Sequence, residues 1–269
     1  MSSAQEKIEV LLENAKLKST SKSKSQTDDK KKKDIVISKE STKRLIKDIR
    51  EVVRHPLNDN GIYYIHDEED MLKGYAMIIG PADTIYQHGF YFFEFTFPTN
   101  YPYSPPRVFY HTNDGLTRFH PNLYRNGKVC LSILNTWSGE QWTSCQTLRT
   151  VLLTMVTLFH NKSLLNEPGI RESHRDFEAY HEIVHFRNWQ VACLGMIHKT
   201  YFNSIFTPFY SIMIGYFKEK NKTIEEDLQK LVDEKDNVRT ICTIYNDMNG
   251  VKLKYKQIMN LFVEAKELL

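Results

Sequence analysis

Apolar residues recur along this chain with two periods, and the switch between them marks its elements. A stripe of Leu45, Ile49, Val52 and Val53, with Lys43, Arg44 and Lys47 off it, predicts a helix capped by Ser41 or Thr42 and ended by His55-Pro56. The pattern then turns strand-like over 75–79, 91–97 and 107–110, runs parted by Gly80-Pro81, Gly89 and a proline-rich segment. Runs this short and close predict an antiparallel meander. After a loop-like stretch over 112–128 comes an apolar run over 129–134. Leu148, Val151, Leu152, Met155 and Leu158 then return at helical spacing, predicting a second helix over 147–159 that packs on the sheet. Beyond Pro168-Gly169 the pattern is helical and aromatic-rich over 177–189, 196–217 and 223–269, which predicts an all-helical C-terminal extension. Its aromatics Tyr201, Phe202, Phe206, Phe209 and Tyr210 are expected to form core.

The start of the chain differs. Residues 16–33 are almost entirely Lys, Ser, Thr, Asp and Gln, too polar to offset the entropy of ordering, and read as a disordered linker. Ile8, Leu11 and Leu12 allow a short amphipathic helix ahead of it. There is no internal repeat. The expected organisation is a disordered basic tail over 1–40, a folded core domain over 41–185 and a helical extension over 186–269. A length of 269 residues suits one domain with extensions.

The formal charge of +3 changes meaning once divided along the chain. The first forty residues hold ten Lys and seven Asp or Glu, and the remainder holds 26 of each sign. The globular part is neutral, which argues against nucleic-acid binding; that reading would rest on the tail alone, where Lys30 to Lys33 suit equally an import signal or a solvated face. Cys130, Cys145, Cys193 and Cys242 form no C-x-x-C pair, so free thiols in a reducing compartment are expected. Met1 is followed by polar residues and no run reaches 18 apolar residues, so neither a signal core nor a membrane span is expected. The expected setting is cytoplasmic or nuclear. His174, His181 and His185 include an i, i+4 pair, but no third ligand is placed by motif and no metal is expected.

The chemistry concentrates between residues 101 and 142. Tyr101-Pro102-Tyr103-Ser104-Pro105-Pro106 is followed by His120-Pro121-Asn122, by Asn126-Gly127-Lys128-Val129-Cys130-Leu131, and by Trp137 and Trp142. Each piece is common alone, and a single cysteine is more often a small buried hydrophobe. In this order they resemble the ubiquitin-conjugating enzyme family: a YPxxPP segment, an HPN tripeptide, a cysteine eight residues past its asparagine, a tryptophan and a long helix. The likeness covers residues 41–185. The CLSIL-T-W run, the insertion over 137–141 and Asn166-Glu167-Pro168-Gly169 are most similar to the Z subgroup.

That resemblance implies an α+β, UBC-like fold: a four-stranded antiparallel meander flanked by helices, with the helical extension added. It implies a transferase without cofactor, taking ubiquitin or a ubiquitin-like modifier from a ubiquitin-activating enzyme, the partner that uses ATP. The modifier passes to a substrate lysine with a ubiquitin ligase. A thiol is suited to this work because it attacks acyl carbon readily and leaves readily. Cys130 is the expected nucleophile, brought to the surface edge by the Asn126-Gly127 turn. Asn122 is expected either to stabilise the oxyanion or to hold the active-site loop. His120 and Pro121 are expected as loop scaffolding.

Ser132 stands two residues past the cysteine where many members have aspartate, so Asn166 and Glu167 fall near the family's acidic gate; Glu167 reads equally as a solvated loop acid. Partner contacts are implied at Lys43, Arg44 and Lys47 of the first helix, at Tyr103 and at Trp142. The loop at Trp142 reads Trp142-Thr143-Ser144-Cys145 and lacks the family's Pro-Ala pair. No heptad seam is present, so a monomer is expected. The rival reading is a catalytically inactive scaffold or binding module of the same fold.

Overall fold

In a computed structural model, residues 37–268 are described; the expected basic tail and short N-terminal helix lie outside them, apart from its last few residues. Helix α1 (Lys39–Arg54) starts earlier than Ser41 because Ser38 caps it, its hydroxyl accepting the Ser41 N–H at 3.0 Å. Ser41 is instead a buried residue of the first turn. Leu45, Ile49 and Val52 are buried, each contributing about 1.5–3 kcal/mol by leaving water. The helix stops at His55, ahead of Pro56.

Strands β1 (Ile62–His66), β2 (Lys73–Ile79), β3 (Phe90–Thr96) and β4 (Arg107–Tyr110) form one antiparallel sheet in chain order. Three of them follow the apolar runs. The additional one, β1, carries Tyr63, Tyr64 and His66 and gives a weaker apolar signal. Helix α2 (Leu148–Val156) is closed at its start by a reciprocal pair, Thr147 and Thr150 each bonding the other's backbone.

β3 is buried at nearly every position because both faces of the sheet are covered. Ala76, Ile78, Tyr91, Phe93 and Phe95 face the core that includes α1 and α2. Met77, Ile79, Phe90 and Phe92 face the other way, into a second core built largely by the chain beyond residue 185. Helix α3 (Phe177–Arg187) runs into a π turn (Asn188–Cys193) and then α4 (Leu194–Ile197). Helices α5 (Tyr210–Lys235) and α6 (Tyr255–Glu267) follow. The expected aromatic core is present here: Phe206 and Phe209 are fully buried, and Phe206 packs 4.7 Å from Phe92 between ring centroids. Within this helical region lies one feature the periodicity did not set apart, a two-stranded hairpin of β5 (Arg239–Thr240) and β6 (Val251–Lys252).

Buried polar groups fasten the extension to the sheet. Asn188 accepts the Tyr91 hydroxyl at 2.6 Å and donates to the Gln87 carbonyl at 2.8 Å. His88 bonds Tyr216 at 2.8 Å, with Asp227 of α5 3.7 Å from its other nitrogen. Among the described residues no helix is long and apolar enough to cross a membrane. The four cysteines are all unpaired.

Buried histidines, His66 and His88 among them, make the fold sensitive to acid. Burial pushes His66 and His88 down from 6.5 to about 4, with nearby carboxylates opposing. A depressed folded value means that the unfolded chain takes up protons first as pH falls, so this stability is complete above pH 6.5 and is lost between pH 6.5 and 4. The thermal midpoint is expected to fall by about 10 °C from pH 7.5 to pH 4.5. A calorimetric scan that shows a flat midpoint over that range refutes the assignment.

Candidate active site

The segment around Cys130 is built as a short irregular ladder. The Asn126-Gly127 turn forms as expected, with Gly127 at positive φ, where a side chain would also strike the Phe109 ring. Leu123 pairs with Val129, and the Cys130 N–H donates to the Asn122 carbonyl at 2.9 Å. In return the Asn122 side-chain amide donates to the Cys130 carbonyl at 2.6 Å. Because that partner is an acceptor, the nitrogen of the amide must face it, which fixes the side-chain orientation. Of the two roles expected for Asn122, this geometry performs the second, holding the loop.

Cys130 is only 1% exposed, which corrects the expectation of an open thiol at the surface edge. Asn126 and Lys128 are exposed, but the chain passes directly into the ladder against Asn122, where Val129 and Leu131 beside Cys130 are buried as well. Thr136 is the clasp: its hydroxyl donates to the Val129 carbonyl at 2.8 Å and accepts the Leu131 N–H at 2.9 Å. Gly139, in the insertion, then comes so close to Ser132 that a Cβ there would sit 3.1 Å from the serine Cβ. Ser132 is half-buried at the start of a 3-10 turn (Ser132–Leu134).

His120 and Pro121 are buried, in keeping with scaffolding. His120 Nδ1 accepts the Asn122 N–H at 3.0 Å, which leaves its proton on Nε2. Nε2 lies toward the Leu158 backbone without reaching full hydrogen-bond geometry. Burial, with the charges of His160, Arg118 and His181, pushes this imidazole down to about 3. It is neutral and a poor base near pH 7.

Arg118, which the motif reading did not single out, holds this loop from beneath. Its guanidinium is buried and donates to the carbonyls of His120 at 3.2 Å and Pro121 at 2.6 Å. It stacks 3.4 Å from the Tyr124 ring centroid and 5.7 Å from that of Tyr245. No periodicity marks such a residue. The only sequence cue is its place two residues before His120.

The other expected site residues divide. Glu167 ends the 3-10 turn (Ser163–Asn166), with half-buried Asn166 beside it, and its carboxylate accepts the Tyr245 hydroxyl at 2.6 Å; it is not a freely solvated acid. Lys43 and Lys47 are exposed, as a partner surface requires. Tyr103 is 63% exposed, with its hydroxyl 3.0 Å from Glu40.

Arg44 and Trp142 are engaged within the fold. Arg44 pairs with buried Asp48 at 3.0 Å and donates to the carbonyls of Ser144 and Gln146 at 2.6 Å, tying α1 to the Trp142 loop. Trp142 is buried, its indole N–H donating to the Pro102 carbonyl at 2.7 Å. Tyr101 completes the cluster by bonding Asp48. A buried carboxylate needs such partners, which holds the Arg44 guanidinium inward while leaving it half-buried. Of the three histidines considered for a metal, His181 bonds the Phe177 carbonyl and His185 meets the Trp189 indole.

A family model described as ubiquitin-conjugating enzyme matches residues 44–188. Ubiquitin-conjugating enzyme E2 Z of Danio rerio is 34% identical over 204 residues, 71% of this chain and 62% of that protein. The Homo sapiens protein of the same name is 39% identical over 157 residues, 57% of this chain and 44% of that protein. Probable ubiquitin-conjugating enzyme protein 17 of Caenorhabditis elegans is 43% identical over 140 residues, 49% of this chain and 19% of that protein. The matched stretch is less than two thirds of each relative's own length.

Removing the guanidinium beneath the loop leaves the Pro121 carbonyl buried without a partner, at a cost of about 1–3 kcal/mol beyond lost packing. Arg118→Met is therefore expected to lower the thermal midpoint by about 5–10 °C. A midpoint within one degree of the parent in differential scanning fluorimetry contradicts this account of Arg118.

Proposed function

The chain belongs to the ubiquitin-conjugating enzyme family, and we propose on that footing that it accepts ubiquitin or a ubiquitin-like modifier as a thioester on Cys130. The Cys130 thiolate attacks the modifier's terminal carbonyl on the activating enzyme and displaces that enzyme's leaving group. A substrate lysine amine then attacks the thioester; an amide forms, the amine gives up its proton, and the thiolate leaves. The activating enzyme, which uses ATP, supplies the modifier, and a ligase brings the substrate. The setting is a reducing compartment, the cytosol or nucleus, where free thiols persist, and the chain acts as a monomer.

The observation that carries this reading is the two-way bond between Asn122 and Cys130, which seats the thiol of the motif against its HPN loop. The second amide proton of Asn122 remains for an oxyanion once an acyl group is present. The burial of Cys130 favours the rival reading, an inactive scaffold of the ubiquitin pathway, and it sets a condition on the first. The packing around Cys130 must open before a modifier's carboxyl terminus can reach the sulfur.

Incubation with activating enzyme, ATP and ubiquitin decides between them on a gel run with and without reductant. The expected product is an adduct that reductant removes, absent in Cys130→Ala and converted to a reductant-stable ester in Cys130→Ser. No adduct with ubiquitin or its relatives, across more than one activating enzyme, establishes the scaffold. Asn122→Ala is expected to charge yet discharge to lysine about 100- to 1,000-fold more slowly. Discharge at the parent rate removes Asn122 from the transfer step.

A further inference from the structure

The segment between β5 and β6 touches the candidate site at several points. Cys242 and Met248, fully buried in the core that also holds Leu123 and Val129, pin it at both ends. Between these anchors, Thr243 donates to buried Asp176 from its backbone at 3.0 Å and its hydroxyl at 2.7 Å. Asp247 pairs with Arg125, next to the Asn126-Gly127 turn. Tyr245 stands at the centre. Its hydroxyl donates to Glu167 at 2.6 Å, and its ring backs the Arg118 guanidinium that holds the His120 and Pro121 carbonyls.

We propose that the helical extension thereby supplies a positioning residue for acyl transfer: Tyr245 fixes the Glu167 carboxylate relative to the His120-Pro121-Asn122 loop, so that an incoming lysine amine meets an acid held in one place. This rests on the thioester reading above and adds to it. A carboxylate on a loop samples many rotamers; one bonded to a hydroxyl that is itself packed against Arg118 and, 5.8 Å between centroids, against Tyr180 keeps one. Burial and the bond to Glu167 both raise the Tyr245 hydroxyl's proton affinity, so it stays a donor across the working range. Tyr245 touches no reacting atom. It acts through Glu167, from 78 residues away in sequence.

The test uses the full chain and three variants, Tyr245→Phe, Glu167→Gln and both together. Each is charged with ubiquitin, the charged form is isolated, and its discharge is followed over a series of free-lysine concentrations. Each single change is expected to slow discharge on the order of tenfold. The double variant is expected to be no slower than the slower single, because Tyr245 acts only through the Glu167 carboxylate. Discharge of Tyr245→Phe at the parent rate, or single effects that multiply in the double, overturns the proposal. Hydrogen exchange on the uncharged proteins is the independent arm. Tyr245→Phe should speed exchange over residues 163–170 and leave α1 unchanged, and equal exchange over 163–170 also overturns it. A parent chain that never charges sinks the thioester reading and this role in transfer together, whereas charging with unaltered discharge in the variants sinks only the latter.

Discussion

A guanidinium shut away from water must be surrounded by acceptors and ring faces, and at Arg118 that requirement organises the whole active-site side of the molecule. The carbonyls it takes belong to His120 and Pro121, so the loop that carries Asn122 cannot drift without stranding a charge. The rings it takes belong to Tyr124 and Tyr245, one from the turn leading to Cys130 and one from the C-terminal extension. Its own carbonyl is met by the Tyr180 hydroxyl at 2.9 Å, which brings in α3. Through its side chain and its carbonyl this one residue thus joins its own loop over 118–124 to α3 and to the segment around Tyr245. The position of the thiol is set by this tertiary knot and by the ladder that faces Asn122.

The extension is joined to the sheet by the same kind of physics. β2 and β3 expose two apolar faces, and a sheet with only one layer of helices would leave Met77, Ile79, Phe90 and Phe92 in water. Helices beyond residue 185 cover them, with Asn188 and His88 as the polar fastenings at the border. Residues of both layers are therefore parts of one folded body. This explains how a segment as late as Tyr245 reaches Glu167.

What could be read from the sequence was whatever depends on local period or on motif order. The stripe of α1, the runs of β2 to β4 and the spacing of α2 all announced themselves, because each buries a face that repeats at 3.6 or 2 residues. The pairing of Asn122 with Cys130 was implied by motif order, and the structure brings the two together. What could not be read depends on contacts across the fold. The burial of Cys130 arises from tertiary packing around its loop, which has no period. The bonds of Arg44 to Asp48 and of Trp142 to Pro102 likewise join segments far apart in sequence, which no local pattern announces. β1 and the β5–β6 hairpin are short and mixed in polarity, and they form because partners are waiting.

The depth of Cys130 also bears on what happens to the protein between encounters with its partners. Peroxide, glutathione disulfide and stray electrophiles damage sulfur only where they can collide with it. Cys145, on the exposed stretch after Trp142, stands in their path, whereas Cys130 is buried. Oxidative stress would therefore mark the exposed cysteine first, and the buried one chiefly during brief openings of the fold around it.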